Sequence, residues 1–178
     1  MSSNFFYFFL CTVVNIFITL YAILCVNNPQ KMPDSLVGRH QLTLEEAERI
    51  LGETAVLKER KSDNQIDYYV SKTTFSAKEI DAQTQKQANL YYMVERFKDE
   101  EAATKTIQSF IKGNQALQGF ELLAGYGDEA FFHTNKDNFC LLVIRKSNKM
   151  IRIKVNKLTS KTSFEELRKI GKDLVERV

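Results

Sequence analysis

The chain has 178 residues, of which 44% are apolar, 26% charged and 11% aromatic, values that exclude collagen-like, coiled-coil and mostly disordered chains. Its 25 basic and 22 acidic side chains leave a net charge of +3, too balanced to imply a nucleic-acid binder. Two His and three Cys are too few ligands for a zinc-cluster protein.

Every charged residue follows residue 30, and Phe5 to Val26 is uncharged, broken only by Thr12, Asn15 and Thr19. As a helix this run would be about 33 Å long at about 1.5 Å per residue, enough to cross a hydrocarbon core of roughly 30 Å. Residues 1–26 therefore read as a membrane-directed segment. A cleaved signal peptide has a basic n-region and a shorter apolar core. Here Met1-Ser2-Ser3-Asn4 carries no Lys or Arg, so an uncleaved signal anchor fits better. Cys25, at the end of the run, opens a lipoprotein reading, although bulky Leu24 precedes it. Lys31 and Arg39 follow the span, which taken literally favours a cytoplasmic C-terminal side; that rule is weak for long translocated domains. The expectation is an exported, membrane-anchored domain, periplasmic or at the cell surface.

Asn27 to Gln41, with Pro29 and Pro33, reads as a linker. Residues 42–178 are left for one domain with a single core. Thr43-Leu44-Glu45-Glu46 is a capping box, and Leu44, Ala47, Ile50 and Leu51 form one apolar face of a helix ended by Gly52. Ala55–Lys61 and Gln65–Phe75 are predicted strands joined by a turn at Ser62-Asp63-Asn64. Ser76 to Ala88 has a capping-box start (Ser76, Glu79) but no apolar stripe, and is expected to be a mobile excursion. Leu90–Phe97 is a third strand. Asp99–Lys112 is a second helix, with Ala102, Ile107, Phe110 and Ile111 near one face and Gly113 as its stop.

Phe120–Leu123 reads as a short strand and Gly125-Tyr126-Gly127-Asp128 as a turn. Glu129–Thr134, Phe139–Lys146 and Met150–Lys157 follow as strands joined by short hairpin connections. Phe139–Ile144 is apolar on both faces, as a strand covered on two sides should be. Met150–Val155 alternates, with Ile151, Ile153 and Val155 inward and Arg152 and Lys154 outward. Ser163–Glu166 is a further capping box, and Leu167, Ile170, Leu174 and Val178 then recur at helical spacing. The fold class is α+β, a mainly antiparallel sheet flanked by helices and preceded by the N-terminal hydrophobic helix.

Thr43-Leu44-Glu45-Glu46-Ala47 with Ile50-Leu51-Gly52, Phe97-Lys98-Asp99-Glu100-Glu101-Ala102, and Gly125-Tyr126-Gly127-Asp128-Glu129-Ala130-Phe131-Phe132 carry a resemblance. On these and the closing strand pair and helix, residues 43–178 resemble bacterial lipoprotein and secreted domains of unknown function with a PsbP-like α/β/α sandwich. The resemblance implies a binding or accessory module and carries no catalytic residues.

The residues offer little chemistry of the catalytic kind. Neither His has a recognisable Ser or Cys partner, no Gly-x-Ser-x-Gly occurs, and Cys140 stands alone in an apolar strand. Asp128, Glu129 and His133 contain potential metal ligands, but Glu129 and His133 start roughly 13 Å apart along a strand at about 3.3 Å per residue, too far for one ion. No catalytic residue, metal or cofactor is expected. Electrostatics are more informative: residues 139–161 carry Arg145, Lys146, Lys149, Arg152, Lys154, Lys157 and Lys161 and no Asp or Glu. Lys149, Arg152 and Lys154, with Tyr126 at the tip of its glycine turn, are the candidate binding residues. Their partner would be an acidic protein or an anionic envelope surface, with the membrane engaged by the N-terminal segment. Nucleic acid is not expected, because no aromatics interleave the basic residues for base stacking. The alternative is a small-ligand sensor or carrier with a cleft between the sheet and a helix.

Overall fold

The structure is a computed structural model that describes residues 41–177. The Phe5–Val26 run, Cys11, Cys25, His40, all of the linker before Gln41, and Val178 lie outside the described residues. Among those described, no helix is long and apolar enough to cross a membrane.

The described residues form three helices and seven strands in the order α1 (Leu44–Leu51), β1 (Ala55–Asn64), β2 (Tyr69–Ala77), β3 (Asn89–Arg96), α2 (Glu100–Asn114), β4 (Phe120–Leu122), β5 (Glu129–Thr134), β6 (Phe139–Lys146), β7 (Lys149–Asn156) and α3 (Phe164–Glu176). The strands form one sheet in the order β1-β2-β3-β7-β6-β5-β4, and every neighbouring pair is antiparallel. The fold is α+β.

Alternation along β6 and β7 divides the core between the two faces of this sheet. Cys140, Leu142, Ile144, Ile151, Ile153 and Val155 join the α1 residues Ala47, Ile50 and Leu51 and the α3 residues Leu167, Ile170 and Leu174 in the larger cluster. Val143 and Met150 point the other way and join Phe131 beneath Ile107 of α2. Thus α1 and α3 cover one face and α2 part of the opposite one. β6 is buried from both sides, which is why its sequence is apolar at successive positions. α1 and α3 are joined directly, the Ser163 amide donating to the Ile50 carbonyl at 2.9 Å.

Several boundaries differ from the sequence reading. The Thr43 capping box forms, and Gly52 ends α1 in the left-handed conformation (φ 73°). Leu44, however, is 43% exposed, and Glu46 is buried in its stead. The Glu46 carboxylate accepts from the Thr43 amide at 2.9 Å and from the Arg177 guanidinium at 2.7 Å, which satisfies it inside. β1 runs through the segment expected to turn. Its pairing with β2 continues to Asn64↔Tyr69, and the chain reverses over residues 65–68, where the Gln65 amide donates to the Tyr68 carbonyl. The outer part of β1 is polar because it is an exposed sheet edge, where Lys and Glu discourage strand addition. A bulge between Leu57 and Glu59 leaves Leu57 47% exposed.

Ser76 belongs to β2, so no helix begins there. Residues 78–88 form a loop pinned by Asp81, whose carboxylate accepts from the Gln83 and Thr84 amides and from the Ser160 hydroxyl. α2 passes through Gly113, and the side-chain amide of Asn114 donates to the Phe110 carbonyl near its end. Its buried residues are Ala103 and Ile107, while Ala102, Phe110 and Ile111 are half-buried. In α3 the Ser163 hydroxyl accepts from the Glu166 amide, and Gly171 and Val175 join the expected buried positions.

Candidate functional site

The basic run between residues 139 and 161 is largely neutralised by carboxylates that come from elsewhere in the chain. Arg145, on β6, is 7% exposed and pairs with Glu129 at 2.8 Å, Asp128 at 2.9 Å and Glu100 at 3.2 Å. Burial opposes its charge, but the Glu129 bond and the charges of Asp128 and Glu129 outweigh it and raise its pKa. Lys146 pairs with Glu176 of α3 at 3.2 Å and Lys161 with Glu53 at 3.3 Å. Arg152 is bound to the buried carboxylate of Glu95, which also accepts from the Tyr68 hydroxyl, and its guanidinium lies 5.3 Å from the Phe110 ring centre. Burial and the Glu95 bond push the Tyr68 hydroxyl up to about 12. Arg152 is therefore a structural cation holding β7, β3 and α2 together.

Lys149, Lys154 and Lys157 have no carboxylate partner among the described residues. The strand register separates the first two. Lys149 stands opposite Arg96 and Lys146, on the face covered by α1 and α3. Lys154 stands opposite Tyr91 and Leu141, on the α2 face, with its ammonium 5.6 Å from the Phe139 ring centre. Tyr126 is half-buried against the larger core, and the Lys172 ammonium lies 5.9 Å from its ring centre. The turn that carries it uses Gly127 at φ 58°, where an added Cβ would meet the Arg145 carbonyl at 2.4 Å. The four residues singled out from the sequence thus do not converge.

The structure instead marks out a half of the sheet around Lys154 that no helix among the described residues covers. Among the described residues α2 packs chiefly over β6 and β7. Beyond it, on the same face, lie Lys72, Thr74, Tyr91, Met93 and Lys154, with Tyr91 40% exposed. Glu95 is consumed by Tyr68 and Arg152, and Glu59 is paired with Lys61. Alternation in the sequence placed Lys154 outward; no local signal shows that α2 stops short of Tyr91 and Lys72, because that depends on how the helix crosses the sheet.

Protein-family models offer no match to the chain, and no curated protein is similar to it. The site therefore has to be read from its own groups.

Those groups do not assemble a catalytic set among the described residues. Asp128 and Glu129 are spent on Arg145. His133 is buried between Phe120 and Phe139, its ring centre 5.1 Å from that of Phe139. No cluster of three His, Cys, Asp or Glu that could hold a metal occurs among the described residues. Cys140 is fully buried, and burial pushes its thiol up to about 12, far from a reactive thiolate. A groove of about 680 Å³ opens at one end of the sheet, lined by the loop after β2 and by the ends of β6 and β7 rather than by a helix.

Proposed function

We propose that the protein is a non-enzymatic binding or accessory domain, exported and held at a membrane by its Phe5–Val26 segment, that contacts an anionic envelope surface or an acidic protein. One observation carries this reading: Lys72 and Lys154, without carboxylate partners among the described residues, share with Tyr91 and Met93 a part of the sheet that no described helix covers. Lysines without a carboxylate partner beside the exposed Tyr91 ring suit a broad anionic surface, where each cation near the headgroups adds about 1 kcal/mol. The PsbP-like resemblance and the layering of two helices and one helix about an antiparallel sheet agree with an accessory role.

The test is co-sedimentation of the full-length protein, its N-terminal segment already seated in neutral nanodiscs, with vesicles of mixed anionic and neutral lipid at low ionic strength. Lys72→Gln with Lys154→Gln is expected to weaken binding several-fold, and added salt to weaken the wild type similarly. Unchanged binding of the double variant overturns the reading. Protease accessibility in intact cells, with N-terminal sequencing of the mature protein, tests the tether and its side of the membrane.

A further inference from the structure

The groove at the end of the sheet has features of a built ligand site. Its volume of about 680 Å³ lies within the range of small-ligand pockets, roughly 300–1,000 Å³. Lys86 and Lys157 line it and no carboxylate does. The side-chain amides of Asn138 and Asn156 also line it and have no hydrogen-bond partner among the described residues. Phe139 and Ile80, the latter 63% exposed, add apolar surface.

Its walls are fixed in place. Two lining residues that are not glycine, Gln85 (φ 57°) and Lys157 (φ 59°), hold the left-handed backbone conformation, which is unfavourable for both and persists only where the surroundings impose it. For Lys157 the imposed contact is its amide donating to the Asn138 carbonyl at 2.6 Å. For Gln85 it is the amide donating to the Asp81 carbonyl at 2.8 Å. Asp81 in turn accepts from the Ser160 hydroxyl at 2.6 Å, tying the loop to the segment before α3. On the other side the Lys86 ammonium donates to the Asp137 carbonyl at 2.7 Å, which closes the loop onto the β5–β6 turn and leaves two ammonium protons for a ligand.

We infer that this groove binds a negatively charged saccharide. Lysines without carboxylates select an anion. Side-chain amides both donate and accept, as neighbouring sugar hydroxyls require. Phe139 and Ile80 offer apolar surface to the C–H face of a sugar ring. The groove adjoins the sheet face that carries Lys154, whose ammonium lies 5.6 Å from the Phe139 ring centre; Lys72, on β2, belongs to that face and does not line the groove.

The probe is trigalacturonate, titrated calorimetrically into the full-length protein beside neutral maltotriose and inorganic phosphate. Trigalacturonate is expected to bind saturably and at least tenfold tighter than maltotriose, with phosphate a weak competitor. Asn156→Ala and Lys157→Asn, the latter keeping a residue that tolerates positive φ, are each expected to weaken it at least fivefold with an unchanged unfolding temperature. Lys72→Gln, which does not line the groove, should bind trigalacturonate as the wild type does even where vesicle binding falls. No saturable binding, equal binding of maltotriose, full displacement by equimolar phosphate, or wild-type affinity in both groove variants overturns the inference.

Discussion

The guanidinium of Arg145 meets three carboxylates that belong to three different segments: Glu100 at the start of α2, Asp128 in the glycine turn and Glu129 on β5. It also donates to the Ser147 carbonyl at 3.0 Å. Removing it leaves these acids facing one another, although Glu100 and Asp128 are open enough to water to lose less than a buried pair would. Arg145→Met is expected to destabilise the domain by about 1–3 kcal/mol in urea unfolding. Lys at this position is expected to recover less than half of that, because it lacks the planar fork that serves several acceptors at once. Full recovery by Lys would show that only the charge counts. Asp81 makes a second prediction at this scale. The Ser160 hydroxyl and the Thr84 amide hold its carboxyl down to about 2, against an ordinary 3.8. A lowered folded pKa stabilises above the unfolded value and is lost as pH falls through the folded one, so the loop over residues 78–88 should release between about pH 4 and 2. The amide resonances of Gln83 and Thr84 are expected to titrate with a midpoint near 2; a midpoint near 3.8 would mean that the carboxylate is not held. The sequence around Arg145 gives no hint of its role, because its partners lie far away along the chain or across a strand pair. It reads there as one more member of a basic run. Likewise Asp81 sits in a polar stretch that reads as loose, since its partner Ser160 is distant in sequence.

Among the elements, the most legible were those whose local pattern and tertiary setting agree. The Thr43 and Ser163 caps, the alternation of Ile151, Ile153 and Val155, and the doubly apolar β6 all follow from short-range spacing. The element boundaries that moved did so where tertiary surroundings decide. β1 is extended by pairing with β2 although its residues look like a turn, and α2 runs past Gly113, at which a Cβ would meet nothing within 4 Å. Gly171 makes the opposite point. In the middle of α3, a Cβ there would lie 2.3 Å from the Cδ2 of Leu142, itself fully buried on β6. The glycine sets how closely the helix approaches the sheet. Gly171→Ala gains helix propensity of about 1 kcal/mol yet overpacks the core at a cost of about 1–3 kcal/mol, so a net loss is expected. Pairing it with Leu142→Ala tests the cause: a double-mutant cycle should show the two changes to be less harmful together than their separate effects imply. Additive effects would place the strain elsewhere. For α2, Ile107 is the side chain that closes the smaller cluster over Phe131, Val143 and Met150. Ile107→Ala is expected to cost about 2–5 kcal/mol in equilibrium unfolding. A loss under 1 kcal/mol would mean that α2 is not anchored through it.

For the whole molecule, the lesson of the basic segment is that charge along a strand is divided by the sheet before it reaches a partner. Lys149 and Lys154 are an odd number of residues apart, and the register confirms the consequence: one stands with Lys146 and Arg96 on the helix-pair face, the other with Tyr91 on the uncovered half of the α2 face. In the sequence they look like one patch, because a run of lysines and arginines without acids carries no record of which acids fold back onto it. Glu95, Glu100, Glu129 and Glu176 do so and take Arg152, Arg145 and Lys146 out of play. A flat anionic surface cannot lie against both faces of a sheet at once. In the vesicle assay, Lys149→Gln alone should therefore bind as the wild type does, whereas Lys154→Gln alone should lose binding by a factor of about 2–5, as expected for one cation worth up to about 1 kcal/mol at an anionic surface. Equal losses from the two would mean that long-range net charge and not the uncovered half-sheet governs attachment. A loss confined to Lys149 would move the contact to the opposite face, beside the C-terminal end of α3.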